Sequence, residues 1–222
     1  MYLYFFDSEL TTEFFFIAIL SGALLSFFIF LLFFSLNANS GDHSVLEITD
    51  NDFYIGDIDA PITIIEYASM SCSHCADFHN DTLEDLKSEY IDTGKVKFVF
   101  RDFPFNYPAL AGSMMLRCIP SEVKYDYMNA LYKLQKSWVF RDQGKTRTEL
   151  YKIMQSGGMQ QDEFDSCLSD INLENDLLED VMNAQREFNI RSTPTFIVNG
   201  ILYSGNKNIK EFRQIIDKIL SQ

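Results

Sequence analysis

Reading from the N-terminus, the first pattern is a block without alternation: Phe14 to Leu36 (FFFIAILSGALLSFFIFLLFFSL) is 23 residues with no charge. As a helix it would extend roughly 34 Å, about the depth of a bilayer's hydrocarbon core. It predicts a single N-terminal transmembrane helix after a short tail, 1–13. A removed secretory signal is the alternative, because Ala38 and Ser40 supply small residues at a cleavage position. Such signals start basic and carry about 7 to 15 apolar residues; Asp7, Glu9 and Glu13 precede a longer run here. Residues 37–54 turn polar and acidic and read as a linker.

The periodicity then changes. Ile62 to Ala68 (ITIIEYA) is mostly apolar and β-branched and is bounded by Pro61, the signature of a strand buried on both faces. Cys72 to Tyr90 reads as a helix, and Lys95 to Asp102 (KVKFVFRD) alternates as a second strand, giving a βαβ unit. From Ala109 to Asn189 the pattern is helical, with breaks at Ile119-Pro120 and Gly157-Gly158. Its repeats are clearest over Glu122 to Gln135 and Leu173 to Phe188, and Trp138 with the apolar positions of Leu131 to Val139 belongs to its core. The chain closes with a short strand, Thr195 to Val198, an Asn199-Gly200 turn, a second strand, Ile201 to Ser204, and an amphipathic helix, Ile209 to Leu220. Asn-Gly between two apolar runs is a strong hairpin signal. The prediction is an α/β domain built from 55–107 and 190–222, with an all-helical insertion at 108–189.

Charge narrows the partners. The chain has 32 acidic and 18 basic side chains, a formal charge of −14, which excludes a phosphate-backbone binder and so nucleic acid. Residues 1–86 hold 14 of the acids and no Lys or Arg, so the whole excess is N-terminal; such a face is read as solvated. With 47% hydrophobic and 23% charged residues, the chain is not a disordered one.

The candidate chemistry lies in four cysteines: Cys72, Cys75, Cys118 and Cys167. Cys72-Ser73-His74-Cys75 falls between a buried strand and a helix. There, unpaired N–H groups and the helix dipole favour an anion and lower a thiol pKa. His74 can act on the same sulfur in the same direction. Each pKa unit is about 1.4 kcal/mol, or about 30 mV for a two-electron couple, so stabilising the Cys72 thiolate makes the Cys72/Cys75 disulfide oxidising. Cys72 is the attacking sulfur and Cys75 the resolving one. Zinc is an alternative, with His79 as a third ligand, but no closed tetrahedral set exists, and a structural disulfide is another. Haem attachment needs a His after the second Cys, where Ala76 stands. No cofactor or metal is implied. Glu66 interrupts the apolar strand and is either a buried carboxylate that moves the Cys75 proton or a strand-end residue reaching water. His79 reads as a helix-surface residue, His43 carries no role, and Met70 either faces substrate or packs. Cys118 and Cys167 are expected to pair with each other, the alternative being two reduced buried thiols. A bond there places the domain in an oxidising compartment, and so orients the N-terminal span with the C-terminal domain outside.

The chain resembles the DsbA-like thiol:disulfide oxidoreductases of the thioredoxin superfamily over roughly residues 54 to 220. The resemblance rests on Gly56-Asp57-Ile58-Asp59-Ala60-Pro61, Glu66, the Cys-Ser-His-Cys turn, Arg101-Asp102-Phe103-Pro104 and Thr193-Pro194-Thr195-Phe196, in that order. It implies a thioredoxin fold with an inserted helical domain and a cis Thr193–Pro194 bond packed against the cysteine pair, where an extended substrate pairs with the backbone. It implies disulfide formation in exported proteins with free cysteines; with the Phe14–Leu36 span, the expectation is a periplasmic protein anchored to the inner membrane or, if the span is cleaved, released as a soluble form. It also implies reoxidation by a DsbB-like membrane quinone reductase. Ser73 departs from the Cys-Pro-His-Cys of strong oxidases, and Thr193 occurs in isomerase relatives. A disulfide isomerase or periplasmic thiol reductase is therefore the alternative on the same fold, and a noncatalytic zinc-binding or scaffold module the alternative of another class.

Overall fold

The middle strand of a five-stranded sheet organises the domain. The computed structural model describes residues 47–49 and 52–221. The expected tail and membrane span at 1–36 lie outside the described residues, and among those described no helix is long and apolar enough to cross a membrane. The strands are β1 (Phe53–Ile55), β2 (Ile62–Ala68), β3 (Val96–Asp102), β4 (Thr195–Val198) and β5 (Ile201–Ser204), in the order β1-β3-β2-β4-β5. β2 and β3 are parallel, and every other pairing is antiparallel. Central placement explains why all seven residues of β2 are buried. Phe53–Ile55 corrects the expected linker, which ran to residue 54. Three residues are too few to show a period, and pairing fixes them: Phe53 lies opposite Phe100 and stacks on it at 5.4 Å.

The helix expected over 72–90 is three pieces. α1 (Ser73–Asp81) ends where Thr82 leaves helical geometry (φ −124°); α2 (Leu83–Leu86) follows and runs into a π-helical turn, Lys87–Ile91. The turn lets Leu83, Leu86, Tyr90 and Ile91 all bury against the sheet. The insertion comprises α3 (Tyr107–Cys118), α4 (Ser121–Lys133), α5 (Gln135–Trp138), α6 (Gln143–Ser156), α7 (Gln161–Leu168) and α8 (Ile171–Glu187), and α9 (Ile209–Leu220) returns to the sheet. Asn106 caps α3 by accepting from Ala109 N, and an Asn208/Glu211 capping box starts α9.

Alternation along the strands divides the core. Ile62, Ile64, Phe98, Phe196 and Val198 meet Phe78 of α1 and Phe212 and Ile216 of α9 on one face. Ile65, Tyr67, Val99 and Ile197 meet Ala184 and Ile190 on the other. Each large apolar side chain so enclosed contributes about 1.5–3 kcal/mol. A third cluster joins Met114, Leu131, Trp138, Leu150, Phe164 and Leu177 of the helical block to Ala68, Met70, Cys75 and Ala76 at the cysteine turn. Cys118 and Cys167 are joined across it, 49 residues apart in sequence. Gly112 of α3 lets this block approach the cysteine turn: an added Cβ would lie 2.9 Å from both Met70 Cβ and Trp138 Cη2. Met70 is therefore a packing residue, only 4% exposed.

Candidate active site

The chain leaves β2 at Ala68, and within four residues a cysteine stands at the head of a helix. Cys72 is the N-cap of α1 in an extended conformation (φ −80°, ψ 121°), with its N–H on Ser69 O at 3.0 Å and its carbonyl accepting from Ala76 N at 3.1 Å. No side chain caps this end, so the first-turn N–H groups are left for the sulfur. The two cysteines are free and differently placed: Cys72 is partly exposed, and Cys75, one turn inward, is fully buried.

Opposite acidities follow. The Cys75 thiol donates to Cys72 and is the largest cause of a Cys72 pKa lowered to about 5; partial burial opposes it, and the Thr193 side chain and the backbone N–H groups of Cys75 and His74 assist. Burial pushes Cys75 far above an ordinary thiol, helped by the same hydrogen bond and by the charge of Glu66. The His74 imidazole points to solvent, with Nδ1 3.6 Å from Asp77 Oδ2, so His74 acts on Cys72 through its backbone.

The start of β4 completes the mouth of the site. Thr193–Pro194 is cis, and Thr193 O lies 3.3 Å from Cys72 Sγ. A protonated Cys72 can donate to this carbonyl; a thiolate cannot, and takes its donors from α1, while the buried Thr193 Oγ1 has no hydrogen-bond partner of its own and is free to turn toward the anion. Beneath the turn, Glu66 is fully buried and its Oε2 lies 2.9 Å from His79 Nε2. The surface position expected for His79 is thus corrected: it is 7% exposed. It lies one turn beyond Cys75, on the face of α1 that packs on the sheet. Its Nε2 is engaged by Glu66, and no group of three or more His, Cys, Asp or Glu among the described residues is arranged to hold a metal.

Gln135 is a site residue with no signal in the sequence. Its side-chain amide donates to Met70 O and Cys72 O, each at 3.0 Å, and so ties the inserted block to the cysteine turn. A single glutamine in a polar stretch gives no hint of this. Cys118 and Cys167 lie within the helical block as a separate, closed pair.

A partly exposed, acidified cysteine on a helix head, a second, buried cysteine behind it and a cis-proline strand across it define a thiol:disulfide oxidoreductase on a thioredoxin-type sheet. The chain belongs to the thioredoxin family, whose model matches residues 48–218, and within it to the DsbA-like proteins. A protein of Rickettsia bellii named as a protein-disulfide oxidoreductase is 31% identical over 177 residues, covering 79% of this chain and 67% of that one. For a Rickettsia felis relative of the same name the match spans 63% of that protein's length. The disulfide bond formation protein D of Bacillus subtilis is 25% identical over 75% of this chain and 76% of its own. The crystal structure of alpha-DsbA1 from Wolbachia pipientis is 31% identical with a TM-score of 0.76, covering 81% of this chain and 96% of that one.

Proposed function

We propose that the protein introduces disulfide bonds into exported proteins by dithiol–disulfide exchange at Cys72/Cys75. The observation that carries this reading is the split between the two sulfurs: Cys72 lowered to about 5, Cys75 buried and raised. A substrate thiolate attacks Cys72 Sγ of the oxidised pair, and Cys75 leaves with the bonding electrons and takes a proton, for which Glu66 is the source. The substrate's second thiolate then attacks its own sulfur in the mixed disulfide and releases Cys72, a good leaving group because its anion is stabilised. The substrate has lost two electrons and the cysteine pair has gained them. The Thr193–Pro194 backbone holds the substrate as an added strand beside Cys72. His74 supplies a backbone donor to the Cys72 anion.

The setting proposed is the periplasmic side of the inner membrane, with Phe14–Leu36 as anchor or, if cleaved, as signal. The Cys118–Cys167 bond supports an oxidising compartment. A DsbB-like membrane quinone reductase would return the pair to the disulfide, and a shared membrane would raise its effective concentration. The test is the reduction potential of Cys72/Cys75 against glutathione. A value well above about −270 mV, that of thioredoxin, is expected; a value at that level overturns the oxidase reading in favour of a reductase. Trapping with Cys75→Ser should then yield mixed disulfides between Cys72 and exported proteins.

A further inference from the structure

Three buried polar atoms on three different elements are left without a hydrogen-bond partner: Glu66 Oε1 on β2, His79 Nδ1 on α1 and Tyr132 Oη on α4. Orphaned groups of this kind are costly and call for an explanation beyond packing. They form one cluster. Glu66 and His79 are 2.9 Å apart with side chains 0% and 1% exposed, and the rings of His79 and Tyr132 stack at 3.9 Å between centroids. Cys75 precedes His79 by one helical turn and shares its face of α1, and the charge of Glu66 reaches Cys75.

A protonated carboxyl enclosed in this way can give up its proton once, and it has no exposed surface through which to regain one. His79 is the only titratable side chain hydrogen-bonded to it among the described residues. Tyr132, stacked on His79, also lines a cavity of about 30 Å³ with Asp102, Arg117 and Lys124. That exceeds the roughly 10–15 Å³ a water needs, so solvent protons come within one ring of His79. The ionisable groups in contact with the pair or reached by its charge are Cys75 from α1 and Tyr132 from α4, and Tyr132 in turn feels the charges of Cys72, at the head of α1, and of Asp102 from β3. Burial holds Tyr132 well above an ordinary tyrosine and therefore neutral.

We propose that His79 reloads Glu66 with a proton each time the Cys72–Cys75 bond opens, so that the pair, and not Glu66 alone, serves the buried sulfur. This rests on the reading of Glu66 as the proton source for Cys75. As the substrate thiolate bonds to Cys72 Sγ and the Cys72–Cys75 bond breaks, one proton passes from Glu66 to Cys75 and another from His79 to Glu66. His79 then regains one from the Tyr132 side, equal to the one the substrate thiol lost on ionising. His79 acts through Glu66 and does not touch substrate.

The test is stopped-flow exchange between the oxidised protein and a two-cysteine peptide across pH, for wild type, Glu66→Gln, His79→Gln and the double variant. Each single change is expected to slow the opening by roughly 100-fold or more and to remove the same limb of the pH profile. The double variant should be no slower than Glu66→Gln, and the Cys72 titration should not move. If His79→Gln keeps the wild-type rate and profile while Glu66→Gln is slow, or if the two losses add, His79 is structural and the inference is overturned with the Glu66 reading intact. If Glu66→Gln has no effect, both fall. A measurement on the wild type guards against variants that do not fold: rates in mixtures of light and heavy water should curve, as for two protons in flight. A straight line overturns the relay.

Discussion

Cys72 and Cys75 are the same chemical group three positions apart, and only their places in the fold separate their acidities. Ultraviolet titration of the reduced protein should show Cys72 ionising with a midpoint of about 5, against about 8.5 for a free thiol. The sign for stability follows from a folded pKa below the unfolded one. The reduced protein's advantage from this thiolate is complete above the ordinary thiol range and is lost as pH falls through about 5. Urea unfolding of reduced and oxidised protein should therefore show the reduced form gaining on the oxidised one from pH 4 to pH 8; a constant difference would count against the anion. The acidified cysteine was legible because its causes lie largely within one turn of sequence, the Cys75 thiol three residues on and the N–H groups of the helix head. The burial of His79 and the two bonds of Gln135 were not, since both depend on which parts of a remote helical block pack over the turn.

Elements with a strong period or a strong turn signal could be read directly. β2 and β3 are found at Ile62–Ala68 and Val96–Asp102, and the Asn199-Gly200 hairpin has positive φ at both residues, 45° and 85°. Asn199 does more than turn: its Oδ1 accepts from Thr63 N at 2.8 Å and pins β4 to the start of β2. The three-residue β1 and the π-helical turn at Lys87–Ile91 were not legible, because pairing and packing, not periodicity, create them. α3 offers a test at this scale. Gly112→Ala places a methyl against Met70 Cβ and Trp138 and is expected to destabilise the protein by about 1–3 kcal/mol through overpacking, read as a lower urea midpoint with an unchanged slope. No loss would mean that α3 sits farther from the cysteine turn than described.

Across the molecule, the interruption of the α/β domain by a helical block was visible as a change of period, but the way the two are fastened was not. Arg117 of α3 holds Asp102 of β3 at 2.9 Å and Asp180 of α8 at 3.3 Å, and Gln135 grips the cysteine turn. The Cys118–Cys167 bond closes the block upon itself over 49 residues. Replacing both cysteines by serine is expected to cost about 4 kcal/mol by loop entropy, measured by urea unfolding, while the Cys72 midpoint stays at about 5. A shifted midpoint would show that the block tunes the site and does not merely support it.

That closed pair has a bearing on how the protein comes to exist. A newly made chain carries four thiols, two of which must be joined before its helical block is complete. A catalyst of disulfide formation is thus itself in need of one, and its earliest copies require an outside oxidant. Joining those two thiols releases two electrons, so every new copy must meet an oxidant before its own fold is closed.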